Sequence, residues 1–190
     1  PRMAFLIATC LFLSLAAFPA FSAEDASLVA ARQRMVERDL KGRDIKDPKV
    51  LEIMGRVPRH LFVDKSLQNT SYADHPLPIG EGQTISQPYI VAWMTQILQI
   101  KPGEKVLEVG TGSGYAAAVL SLLAREVFTI ERIPALAEQA RQRLDRLEYR
   151  NVHVTAGDGT LGLPEHAPYG AIVVTAGAAT LPHPYLEQLA

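Results

Sequence analysis

The sequence predicts an α/β fold, a mostly parallel sheet with helices on both faces, and three observations carry that expectation. After "KPGEK" (101–105), short runs rich in Val and Ile alternate with helix-length segments, the rhythm of parallel strands joined by helices. A glycine-rich turn, "VLEVGTGSGY" (106–115), closes the first of those runs. Acids stand at the ends of successive runs, Glu108, Glu131 and Asp158, where an open parallel sheet binds its ligands.

The first segment stands apart from everything after it. "PRMAFLIATCLFLSLAAFPAFSAED" puts Arg2 ahead of a predominantly apolar run, Ala4 to Phe18, followed by Pro19 and the tripeptide Ala20-Phe21-Ser22. This is the layout of an export signal, with an apolar stretch too short to span a bilayer easily. Residues 1–22 are therefore set apart from the fold. The mature chain is expected to begin near Ala23, in an exported, periplasmic form with no stable membrane span.

Residues 23–104 read as a helical and substrate-loop region. Ser27 opens "SLVAARQRMVERDLKGR" as a capping-type serine, and Gly42 stands near the helix end. "DPKVLEIMGRVPR" restarts a helix, with Asp47 as N-cap and Pro48 at the first helical position. Residues 64–87, with Pro76, Pro78, Gly80 and Gly82, read as a mostly irregular run; so long a loop is more often functional than idle. Gln87-Pro88 opens the next helix, with Ile90, Val91, Met94, Ile97 and Leu98 on one face.

Residues 105–190 read as a cofactor-binding α/β region. Strands are expected at 105–109, 126–131, 152–155 and 171–175, and helices at about 114–124, 134–147 and 183–189.

Composition narrows the function. The chain has 190 residues, 48% hydrophobic and 21% charged, which suits one globular domain. A formal net charge of −1 leaves no electrostatic footprint for nucleic acid, and none is expected as a partner. Cys10 is the only cysteine, so neither a disulfide framework nor a thiolate metal site can form. His60, His75, His153, His166 and His183 show no metal-ligand spacing, and no metal is expected.

The acids say what the glycine turn holds. A phosphate loop recruits a lysine or a helix N-terminus, whereas this turn begins at Glu108. Its glycines run G-x-G-x-G, unlike the G-x-G-x-x-G of dinucleotide sites, which disfavours a nicotinamide oxidoreductase. Glu131, one strand–helix–strand unit further on, is placed to accept both ribose hydroxyls of an adenosine. Asp158 in "AGDGT" is placed to meet the adenine amino group, with Gly159 allowing close approach. An adenosine with a cationic, phosphate-free tail fits best. S-adenosylmethionine, with its sulfonium and ammonium, is such a ligand.

"YADHPLPIGEGQTISQPYIVAWM" (72–94) resembles the signature of protein-L-isoaspartate O-methyltransferases. The similarity continues through "VPRHLFV", "VLEVGTGSGYAAAVLS", "VFTIER", "NVHVTAGDGTLG" and "YGAIVVTAGA". It covers nearly everything from about residue 30 onward, and "GQTISQP" is specific to that family among methyltransferases. The resemblance implies a Rossmann-like S-adenosylmethionine-dependent methyltransferase fold. It also implies methyl transfer to the free α-carboxyl of L-isoaspartyl (and D-aspartyl) residues in damaged proteins or peptides. The ester then closes to a succinimide, which hydrolyses partly to normal aspartate.

Position by position, the resemblance makes Ser86 the active-site serine, with Gln83, Thr84 and Ile85 adjoining the cofactor beside it. Glu108, Gly110, Thr111, Gly112, Ser113 and Gly114 become the methionine-side loop. Glu131 with Arg132 takes the ribose, and Asp158 with Gly159 the adenine. Gly170 departs from the family, which more often has aspartate there; a local effect is expected. A carboxylate nucleophile is already ionised at neutral pH, so no catalytic base is needed. Ser86 is then a hydrogen-bonding positioner of the substrate carboxylate, with capping of the helix at Pro88 as its other reading.

A methyltransferase for another small nucleophile, a cofactor-holding pseudoenzyme and an isoaspartyl-peptide receptor are the alternatives. The family is ordinarily cytoplasmic, against the export-like start. It also carries three further strands, and Pro1-Arg2 ahead of Met3 suggests a piece of a longer reading frame. The fold is expected to be truncated after its fourth strand, and the 190-residue chain to be poorly stable, aggregation-prone and nearly inactive alone.

Overall fold

The computed structural model describes residues 25–177 and 180–190. The export-like segment lies outside the described residues.

Chain order begins with α1 (Ala26–Arg34), which runs on as a wider π-helical turn over Met35–Lys41. Its cap is Asp25, whose side chain accepts from the Ser27 amide at 2.8 Å, so the serine is the capped residue and not the cap. α2 (Pro48–Arg56) starts as expected, Asp47 accepting from the Lys49 and Val50 amides and Pro48 in the first turn.

The run 64–87 is more ordered than expected. A 3-10 segment covers Lys65–Thr70, and β1 (Leu77–Gly80) pairs antiparallel with β2 (Gln83–Ile85). Glu81 and Gly82 both have positive φ, 52° and 68°, the conformation that a two-residue hairpin turn requires. Leu77 and Ile85 face each other across the pair and are both buried.

α3 (Pro88–Leu98) follows directly. Its buried face is Pro88, Val91, Ala92 and Thr95, the threonine satisfied by donating to the Val91 carbonyl at 2.7 Å. Of the expected face, Ile90 and Ile97 instead lie on the exposed side with Trp93. A helix apolar nearly all round leaves its inward face to be chosen by tertiary packing.

The α/β part then alternates: β3 (Lys105–Val109), α4 (Tyr115–Ser121), β4 (Glu126–Glu131), α5 (Pro134–Arg146), β5 (Val152–Ala156), β6 (Ala171–Val174) and α6 (His183–Gln188). The four strands form one parallel sheet in the order β5-β4-β3-β6, as the Val/Ile runs predicted. Val106, Val127 and Val173 pack on one face with Ala117 and Leu120 of α4. Leu107, Val109, Phe128 and Ile130 pack on the other with Tyr169 and Tyr185. Burial on both faces is why these strands read as unbroken apolar runs. The amino-terminal helices close a further apolar cluster against Tyr115, Val119 and Leu144.

Gly170 has a local reason. A Cβ there would lie 2.6 Å from the Glu104 carboxyl carbon, so an aspartate would meet that side chain at the start of β6.

Candidate active site

The strand order reverses at β3, because β4 and β5 lie on one side of it and β6 on the other. Loops at the carboxyl ends of strands on either side of such a point diverge and leave a crevice. Gly110 forms its floor with φ +105°, and an added Cβ would lie 2.8 Å from Thr175 Oγ1 and 3.1 Å from the Ala176 amide nitrogen. Only glycine allows β3 and the end of β6 to approach this closely. Thr175 locks the approach by donating to the Gly110 carbonyl at 2.6 Å. The sequence reading missed Thr175, although its place just after a strand at the reversal point could have flagged it.

A cavity of about 310 Å³ opens there, a volume suited to a nucleoside. Gln83 and Thr84 reach it from the hairpin, Gly110 and Gly112 from the loop, and Glu131, Arg132, Asp158 and Gly159 from the ends of β4 and β5. Glu131 is buried, and its two oxygens already accept from the Gly112 amide at 2.9 Å and the Ile133 amide at 3.0 Å. It therefore ties the glycine loop to the start of α5, and each oxygen keeps lone-pair capacity for a ligand hydroxyl. Asp158 is exposed; one oxygen accepts from the Thr160 amide and hydroxyl at 3.0 and 2.9 Å, bonds that hold its carboxyl below the usual range. Its other oxygen carries no hydrogen bond among the described residues.

Gly159 has a second reason beside the one expected. A Cβ there would lie 2.5 Å from Val109 Cγ1, so the glycine serves packing against β3 and not only access to a ligand. Tyr185 of α6, also missed, lines the same cavity and donates to the Gly159 carbonyl at 2.8 Å.

A smaller recess of about 40 Å³ adjoins, lined by Thr84, Ile85, Ser86, Glu108, Thr111 and Ser113 among others. Gly114 lines neither cavity; a Cβ would lie 3.1 Å from Leu144 Cδ1, and its φ of +86° turns the chain into α4. Ser113 accepts from Arg143 Nη1 through its carbonyl at 2.8 Å. The Ser86 hydroxyl makes no hydrogen bond among the described residues.

Ser86 is thus not the cap of α3. Asp74 is. Its Oδ1 accepts from the Tyr89 amide at 2.9 Å, and its Oδ2 from Gln87 Nε2 at 3.3 Å and Arg43 Nη1 at 3.1 Å. A loop residue remote in sequence fixes the helix start just after Ser86, and nothing in local spacing reveals it. Asp74→Ala is expected to cost about 1–2 kcal/mol of stability, the loss of a cap. Chemical denaturation checks this, with Asp47→Ala at α2 as the comparison.

Glu108 corrects an expectation. It was read as an acid at the mouth of the loop; it lies beneath it, 0% exposed. Oε2 accepts from the Thr129 hydroxyl at 2.6 Å, which is 2.7 Å from the Thr111 hydroxyl, while Oε1 has no partner among the described residues. Burial pushes its carboxyl up to about 8, partly opposed by the Thr129 bond.

A larger cavity, about 770 Å³, lies beside Arg56, Pro58, Tyr149 and Asn151, by the amino-terminal end of β5. It contains none of the predicted site residues. Among the described residues no group of three or more His, Cys, Asp or Glu is placed to hold a metal, and no helix is long and apolar enough to cross a membrane.

The crevice fits an adenosine-bearing cation. The glycine floor would reject a side chain, Glu131 and Asp158 keep acceptor capacity, and Glu108 holds a buried oxygen without a partner. The family described as Protein-L-isoaspartate(D-aspartate) O-methyltransferase (PCMT) matches residues 30–190. Protein-L-isoaspartate O-methyltransferase 2 of Pelobacter propionicus is 59% identical over 158 residues, 83% of this chain and 70% of that protein. Protein-L-isoaspartate O-methyltransferase 1 of Syntrophobacter fumaroxidans is 59% identical over 84% of this chain and 75% of its own length. A solved protein-L-isoaspartate O-methyltransferase superposes with a TM-score of 0.77 at 32% identity, over 84% of this chain and 52% of that one. A Plasmodium falciparum protein assigned to the same activity, solved in complex with S-adenosyl-L-homocysteine, gives 0.70 at 26% identity, over 84% and 79%. This chain thus spans about half of the first solved structure and about four fifths of the second.

Proposed function

The chain belongs to the protein-L-isoaspartate(D-aspartate) O-methyltransferase family, and from that premise we propose that its crevice transfers a methyl group from S-adenosylmethionine to the free α-carboxyl of isoaspartyl residues in damaged proteins, beginning their repair. One observation carries the assignment to these residues. The unpartnered Ser86 hydroxyl lines the same small recess as Glu108 and the glycine loop, next to the nucleoside-sized cavity.

The cofactor, when bound, supplies an activated methyl on a sulfonium. The residues of the chain position and enclose. Gln83 and Thr84 wall the nucleoside cavity, and Glu131, Arg132 and Asp158, which line it too, would hold the ribose and adenine. Gly110, Thr111, Gly112 and Ser113 shape the methionine side. Ser86 would donate to the substrate carboxylate and orient it for the transfer. That carboxylate is ionised at neutral pH, so no residue has to remove a proton. Alignment and exclusion of water are what the site contributes.

Incubation with labelled S-adenosylmethionine and an isoaspartyl peptide, beside its normal aspartyl twin, tests the proposal. Label on the isoaspartyl peptide alone is expected; equal or absent labelling of the two rejects it. The export-like pattern at 4–18 supports a periplasmic mature form beginning near Ala23. Amino-terminal sequencing of native protein checks this, and a chain retaining residues 4–18 overturns it.

A further inference from the structure

Glu108 combines three properties that a purely structural acid does not need. It is fully buried, one of its oxygens has no partner among the described residues, and it lines the recess where a cationic ligand tail is proposed to sit. The titratable groups facing it are Glu131, at the end of β4, and Tyr115, at the start of α4, whose hydroxyl burial keeps un-ionised. β6 presents Val173 and is followed by Thr175, α3 presents Val91, and the hairpin presents Thr84 and Ile85 with Ser86 following, all uncharged. Arg59 stacks on the Tyr115 ring at 4.9 Å and forms no ion pair with Glu108. Among the described residues no cation balances a charge on Glu108, and Glu131 opposes one.

Resting on the methyltransferase reading, we propose that Glu108 is the residue that distinguishes the charged cofactor from its neutral product, ionising when the cation binds and taking the proton back once the methyl has left. Burial, with Oε1 unpartnered among the described residues, favours the neutral acid in the free protein, and the Thr129 bond to Oε2 opposes it only in part. S-adenosylmethionine brings a sulfonium and an ammonium against one carboxylate, and S-adenosylhomocysteine lacks the sulfonium. Entry of the net positive charge favours the carboxylate, and the proton passes to solvent. In the transfer, an oxygen–carbon bond forms, the carbon–sulfur bond breaks, and its electron pair stays on sulfur. The substrate carboxylate and the sulfonium both become neutral. Glu108, again without a counter-charge, takes a proton from solvent. Cofactor binding is thereby favoured over product binding, and the spent cofactor is released more easily.

Calorimetric titration of the chain near pH 7, in buffers of different ionisation enthalpy, counts the protons released. S-adenosylmethionine is expected to release roughly one proton and S-adenosylhomocysteine close to none, so cofactor affinity rises up to about tenfold per pH unit between about pH 6 and 8 while product affinity stays flat. The ligand amine titrates at about 7.7–8.0, so the Glu108→Gln variant supplies the baseline, and the excess release is expected to vanish in it. If that variant does not fold, the contrast between the two ligands on the parent protein still decides. Equal release by both ligands, or none by either, overturns the inference. Failure of both ligands to bind a chain that gives a cooperative thermal transition overturns the methyltransferase reading itself.

Discussion

Ser86→Ala is expected to lower kcat toward an isoaspartyl peptide by about ten- to a thousandfold, the usual worth of a single positioning hydrogen bond in a dry site. The dissociation constant for S-adenosylhomocysteine should stay within about twofold, because the binding contacts assigned to Glu131 and Asp158 are untouched. Stability should also be nearly unchanged. The hydroxyl has no partner among the described residues, and α3 is capped by Asp74, so its removal leaves no buried donor or acceptor behind. This combination separates positioning from capping: a lost cap lowers the melting temperature, and a lost positioner does not. Ser86→Thr, which keeps a hydroxyl, should recover part of the rate. A Ser86→Ala protein that turns over like its parent would remove the serine from the reaction.

The parts legible in the sequence were those fixed by local chemistry. β3 and β4 lie at their expected positions because both faces are buried, and the Val/Ile runs therefore end where burial ends. Asp47-Pro48 announced α2 because cap and first turn are adjacent in sequence. What stayed hidden depends on contacts between distant residues. The β1–β2 hairpin is short and contains Pro78, so its alternation of Leu77, Ile79 and Ile85 was lost among turn residues. Asp74 caps α3 from a preceding loop, and Ser86 was offered as the cap only because it is the nearer candidate. Sequence gave Glu108 its chemistry but not its depth. Whether a carboxyl at a strand end is exposed or covered depends on the Thr111–Thr129 hydroxyl pair packed with it. Thr175 and Tyr185 were missed for a similar reason, since each acts through a bond to a carbonyl in a segment far from it in the chain.

Glu131→Ala is expected to weaken binding of S-adenosylmethionine and S-adenosylhomocysteine by about a hundredfold. Hydrogen bonds to a charged group contribute about 1.5–3 kcal/mol each, and a hundredfold corresponds to about 2.7 kcal/mol, so the loss of even one ribose contact together with a loosened loop accounts for it. The loop loosens because the carboxylate also holds the part-buried Gly112 and Ile133 amides, which then lose their acceptor. The ligand-free variant should therefore melt below its parent, which Ser86→Ala does not. Direct contact and loop support are separable by a double-mutant cycle with the ligand as one partner. The parent should bind a deoxyribose analogue of S-adenosylhomocysteine more weakly than the natural product, whereas Glu131→Ala should bind the two almost equally, having already lost the acceptor that reads the hydroxyl. If the analogue is penalised as heavily in the variant as in the parent, Glu131 acts through Gly112 and Ile133 alone, and the ribose must be read by another group lining the cavity.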